Sequence, residues 1–227
     1  MLKKIMTTAA MVLAAGSLAL ADAGAEYDRA VAAYEAGKFA EAIKILEAPA
    51  AEGMPAAQYM LGLMYHRGRG TEVDPAKAAK WYAKAAEQNF AAAMCNLGMI
   101  LQDGLGQGDS AVKPDKAQAK DLLRRASYLE NVPAWTAYGA MMINEGDGGK
   151  DFVEGLAFMR MAADAGDEVA AGNVKGLKFT PEQSQAADAK RKEIEANIQK
   201  IRELRAAESQ QKSSSGGSSK PKNPLDD

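Results

Sequence analysis

The chain of 227 residues contains one cysteine, Cys95, and one histidine, His66. A lone cysteine excludes an intramolecular disulfide, and a lone histidine excludes any multi-histidine metal site. A Ser-His-acid or Cys-His arrangement would have to be built on His66, yet no G-x-S-x-G elbow or comparable nucleophile signature accompanies it. Catalytic residues, metal ligands and cofactor are therefore all expected to be none. Neither charge sign dominates: 28 basic residues meet 30 acidic ones, a balance that invites neither nucleic acid nor an anionic membrane surface. Aromatics amount to only 6%. The core must then be built from alanines, aliphatics and methionines on closely approaching helices.

What is present begins with an address. Lys3 and Lys4 precede an uncharged stretch from Ile5 to Leu20 that ends in small residues, the layout of a cleavable secretory signal peptide over 1–21. Ala19 and Ala21 place the cut before Asp22, and Ala21 with Ala23 offers a second one before Gly24. The stretch is too short and too diluted by Thr7, Thr8, Gly16 and Ser17 to favour an uncleaved span, which would be the chain's only tie to a membrane. A periplasmic or secreted protein follows, its net charge moving from −2 to −4 with the loss of the two lysines. An oxidising compartment gives Cys95 no partner, and the residue reads as a small buried hydrophobe unless its thiol is free and reactive.

Internal repetition carries most of the information. AAQYMLG, ending at Gly62, returns as AAMCNLG, ending at Gly98, and as AWTAYG, ending at Gly139. A second slot follows each: WYAKAAEQN from Trp81, LLRRASYLE from Leu122 and FMRMAADAG from Phe158. Each unit reads as two helices. Met60, Leu61, Met64 and Tyr65 share one face of the first, Gly68 and Gly70 end it, and Asp74-Pro75 caps the next, on which Ala78, Trp81, Tyr82 and Ala85 form the packed stripe. The recurring Gly62, Gly98 and Gly139 point to close approach of a neighbouring backbone, because glycine inside a helix costs about 1 kcal/mol relative to alanine. Gly104-Leu105-Gly106-Gln107-Gly108 follows no strand and fits no phosphate-loop spacing; with the 105–113 insertion it is a surface loop. The 12 methionines sit mostly at core spacing, as filler rather than copper ligands.

The string AAQYMLGLMYHRGRGTEVDPAKAAKWYAKAAEQ resembles a complete Sel-1-like repeat, a relative of the tetratricopeptide repeat, with its LG, G-x-G, D, KA, WY and KAAEQ landmarks in order. The second and third units keep these landmarks in part. The resemblance implies an all-α, right-handed superhelix with a concave face, in which stacked helix pairs bury a shared core. Its parts are a tetratricopeptide-like pair at 25–53, Sel-1-like units at about 54–89, 90–130 and 131–166, and a partial unit at 167–179. A capping helix is expected at 180–208, opened by Thr180-Pro181-Glu182-Gln183 and carrying a stripe of Ile194, Ile198, Ile201 and Leu204. A flexible tail is expected at 209–227.

In proteins of this kind the first helix of each pair lines the groove. That implies a partner-binding set of Tyr59, Leu63, His66 and Arg67, then Cys95, Met99, Gln102 and Asp103, then Thr136, Ile143 and Asn144. The expected function is an exported scaffold or adaptor that holds a protein or peptide and is not an enzyme. Two alternatives stand beside it. One is a cell-wall or β-lactam hydrolase, although exported Sel-1-like hydrolases carry paired cysteines that this chain lacks. The other is a homodimeric spacer joined through 181–207, where the scaffold reading has a monomer.

Overall fold

The computed structural model describes residues 23–145 and 149–215. The signal peptide expected over 1–21 and the end of the expected tail lie outside the described residues. Every regular element among those described is a helix: α1 over 23–35, α2 (Phe39–Ala51), α3 (Pro55–Arg67), α4 (Pro75–Ala86), α5 (Ala91–Asp103), a 3-10 turn (Gly108–Ser110), α6 (Lys116–Tyr128), α7 (Val132–Glu145), α8 (Lys150–Asp164), α9 (Glu168–Gly176) and α10 (Pro181–Ser215). This is an all-α helical-repeat fold, in which α3, α5 and α7 are first helices and α4, α6 and α8 their second helices. Two compact units share the chain. One runs to Gln88 and includes Gly106–Val112; the other comprises Asn89–Leu105 and the residues from Lys113 onward.

In the first unit, Ala30, Ala42, Leu46, Ala57, Leu61 and Met64 form the core, with Tyr34, Phe39 and Trp81 packed around it. Arg69 fastens the unit's first hairpin. Its guanidinium lies 5.3 Å from the ring centres of both Tyr34 and Phe39 and donates to the Tyr34 hydroxyl at 2.7 Å. Gly68 ends α3 in the left-handed conformation, φ 65°. The Asp74 carboxylate accepts from the Lys77 N–H at 2.9 Å, so the Asp-Pro pair starts α4 as read from the sequence. The loop Gly106–Val112 leans on this unit, with Gly106 against the Pro75 ring.

The second unit packs α5 on α6, α6 on α7, α7 on α8 and α8 on α9. Asp115 and Asp167 cap α6 and α9 by accepting from the backbone N–H groups of Gln118 and Ala170. Phe158 of α8 sits edge-on between Tyr128 and Tyr138, with ring centres 5.8 and 5.3 Å away. The glycine register is real, but what fills it differs from one pair to the next. A Cβ at Gly62 would lie 2.6 Å from the Tyr82 ring, one at Gly98 2.8 Å from the Leu123 side chain, and one at Gly139 2.9 Å from the Gly155 carbonyl. Backbone is the nearest neighbour only at the last of these; at the other two the missing Cβ makes room first for a large side chain.

The helix α10 caps the repeats as expected and departs from expectation in its length. It lies across α8 and reaches α6, burying Ile194, Ile198 and Ile201, so the isoleucine stripe is spent within the chain and only Leu204, 45% exposed, remains for any seam. It runs to Ser215, seven residues beyond the end expected at 208. Gln210, Gln211 and Lys212 are adequate helix formers, and no helix-breaking residue intervenes before the Gly216-Gly217 pair. The capping box forms in full: Gln183 N–H donates to Thr180 Oγ1 at 3.2 Å, and Thr180 N–H to Gln183 Oε1 at 2.9 Å.

Candidate partner-binding surface

On α3, Tyr59, Leu63, His66 and Arg67 fall at i, i+4, i+7 and i+8, which brings them to one side of the helix. Tyr59, Leu63 and His66 are half-buried and Arg67 is exposed. Tyr82 of α4 backs them, its ring centre 5.8 Å from that of Tyr59 and its hydroxyl 3.5 Å from His66 Nδ1. Burial, and then the charge of Arg67, hold the His66 pKa below its ordinary value, so the ring is neutral near neutral pH. A neutral imidazole against a tyrosine hydroxyl is a packed polar contact rather than an activated base.

In the second unit the expected residues separate. Met99 is 41% exposed, Gln102 half-buried and Asp103 exposed, an apolar and hydrogen-bonding strip along the end of α5. Cys95 is a correction. Only 2% exposed, it belongs to the core, and burial pushes its thiol up to about 12, so it is neither a contact residue nor a reactive thiolate. Its register partner Tyr59 is long enough to emerge from the same depth, whereas a thiol is not. Thr136 is half-buried and already committed, its hydroxyl donating at 2.8 Å to Asp167, the N-cap of α9. At the end of α7, Ile143 and Asn144 line a cleft of about 350 Å³ shared with Met159 of α8 and with Asn173, Gly176 and Leu177 from the α9 segment. The residues after Asp167 were missed as part of the surface; the signal that could have found them is a fourth recurrence of the landmark glycine, at Gly176.

Among the described residues no group of three His, Cys, Asp or Glu side chains is placed to hold a metal ion. Nor is any described helix long and apolar enough to cross a membrane. A cleft of about 800 Å³ opens between α8 and α10 over Val153, Ala186 and Ala189, with Glu154, Lys190 and Glu193 also lining it. Three Arg–carboxylate pairs anchor α10: Arg160 with Asp188 at 2.7 Å, Arg191 with Asp164, and Arg202 with Glu130 at 2.6 Å.

Residues 55–90, 91–131 and 136–167 each match the Sel1 repeat family. The chain is a Sel1-repeat protein. Sel1-repeat helical scaffolds are generally protein-interaction modules, and a helix-pair array with exposed first-helix residues is the architecture that role requires. A Sel1 repeat protein from Oxalobacter formigenes is similar in structure, with 27% identity and a TM-score of 0.58 over 73% of this chain and 68% of that one. A protective antigen present in uropathogenic Escherichia coli strains, displaying an SLR fold, is similar with 25% identity and a TM-score of 0.59, over 75% of this Sel1-repeat chain and 38% of the other. Comparison with curated proteins gives no match.

Proposed function

We propose that this Sel1-repeat protein is an exported, non-catalytic scaffold that binds a protein or peptide partner along the first-helix residues of its repeats. The observation that carries the reading is the split along each first helix. Residues in phase with the landmark glycine are buried, as Leu61, Met64, Leu97, Ile100 and Tyr138 are, while Tyr59, Leu63, His66, Arg67, Met99, Gln102, Asp103 and Asn144 keep part or all of their surface. Those exposed groups alternate apolar contact area with hydrogen-bonding tips, which suits an extended segment or a partner helix. His66 faces a tyrosine and Cys95 lies buried, so neither supplies a nucleophile to the surface. The lysine-headed N-terminal stretch supports export, and delivery outside the cytoplasm gives a cysteine-poor scaffold its setting.

The test is affinity capture from an envelope fraction with the chain lacking residues 1–21, repeated with Tyr59→Ala, Arg67→Ala and Asp103→Ala together. A band lost with the triple change supports the surface; unchanged capture refutes it. Export is checked separately, by fractionating cells that express the chain with and without residues 1–21.

A further inference from the structure

The helix α9 is a first helix without a second. The landmark glycine recurs at Gly62, Gly98, Gly139 and then Gly176. At the first three, the space a Cβ would occupy is taken by the second helix of the same pair: Tyr82 of α4, Leu123 of α6, and Gly155 with Met159 of α8. At Gly176 no described residue outside the helix lies within 4 Å of that position, and the same holds one turn earlier at Gly172. The next helix, α10, goes to α8 and α6 instead.

The vacant side is shaped and not merely bare. Val169, Gly172, Asn173 and Gly176 stand at i, i+3, i+4 and i+7, a single face of α9, and Val169 is 65% exposed. Gly172, Asn173 and Gly176 also line the 350 Å³ cleft, whose floor is Ile143 and Met159 and whose rim carries the Asn144 amide. Glycine weakens a helix, and here no described residue makes use of the room that two of them leave.

Charge and the state of the chain's other helices select the occupant. At the position before the landmark glycine, where the complete pairs bury Leu61, Leu97 and Tyr138, α9 has an exposed lysine, Lys175, and Lys178 follows it, also exposed. The incoming face therefore has to bring carboxylates as well as an aliphatic side chain. Among the described helices a second copy has little to offer: α4, α6 and α8 are occupied in their own pairs, and of the aliphatic stripe of α10 only Leu204 is exposed.

We propose that the open side of α9 receives an amphipathic helix from a protein partner, which sets an aliphatic side chain against Gly176 and a carboxylate against Lys175 and so completes a fourth pair. This surface is separate from the first-helix residues proposed above and stands or falls without them.

A fluorescently labelled peptide copying α8, Lys150–Asp164, is the probe, because that helix already sets Met159 against Gly139 and carries Asp151, Glu154 and Asp164. Titrated with the full chain and followed by anisotropy, it should bind saturably. Gly176→Leu, which fills the notch, and Lys175→Glu, which reverses the charge, should each weaken binding about tenfold. Melting curves followed by circular dichroism should show no loss of stability, since both positions are exposed. Absence of binding overturns the proposal, and so does equal affinity for the Gly176→Leu chain, which would mean that the peptide displaces α8 or lodges elsewhere. Self-association of the chain alone that Gly176→Leu abolishes would also overturn it, by making the occupant a second copy.

Discussion

Gly62→Ala and Gly172→Ala are the same chemical change with opposite expected signs. At Gly62 the new methyl would stand 2.6 Å from the fully buried Tyr82 ring, so about 1–3 kcal/mol of stability should be lost in urea unfolding. At Gly172 nothing is near and the backbone is helical, so alanine should add about 0.4–1 kcal/mol. His66 gives a pH signature. Its folded pKa lies below the ordinary 6.5, so the unfolded chain takes up the proton first, and stability should fall as pH drops from above 6.5 through the folded value and then level off. His66→Gln should remove that step from melting temperatures recorded across the range. How much of the surface was legible comes down to side-chain length as much as register. Tyr59, Cys95 and Thr136 occupy the same slot in successive repeats, yet one is a half-exposed ring, one a buried thiol and one the partner of a helix cap. Periodicity sets the direction in which a side chain leaves its helix; whether it arrives at solvent depends on its reach and on its neighbours.

Helices, their starts and their pairing were readable because each is fixed by local chemistry: Asp74-Pro75 and the Thr180–Gln183 box form as their residue types require. The course of α10 was not, since a stripe of isoleucines reports that something covers it without saying what. Ile194, fully buried at that contact, should cost about 2–4 kcal/mol when changed to alanine, whereas Leu204→Ala on the exposed stretch should be nearly silent. Equal effects at the two positions would contradict the placement of the helix on α8. The Arg191 and Arg202 pairs, whose carboxylates are exposed to solvent, should contribute little by comparison. At the other short element, Asp167→Ala removes both the cap of α9 and the acceptor of Thr136, with an expected loss of about 1 kcal/mol and faster amide exchange confined to 168–176.

At the scale of the molecule, the chain is a helical-repeat array of two compact units, with contacts largely between helices that follow one another. A fragment ending at Phe179 should remain monomeric in sedimentation but melt earlier than the full chain, because α8 and α6 lose their cover. The two units are also interleaved along the chain: residues 106–112 belong with the helices that end at Gln88, although α5 lies between them in sequence. The amino-terminal body is thus unfinished when its last helix leaves the ribosome and waits for a later stretch of polypeptide to lie down beside Pro75. Anyone shuffling these repeats like beads would find no clean joint at residue 88, since a cut there strands a piece of one bead on the far side of the string.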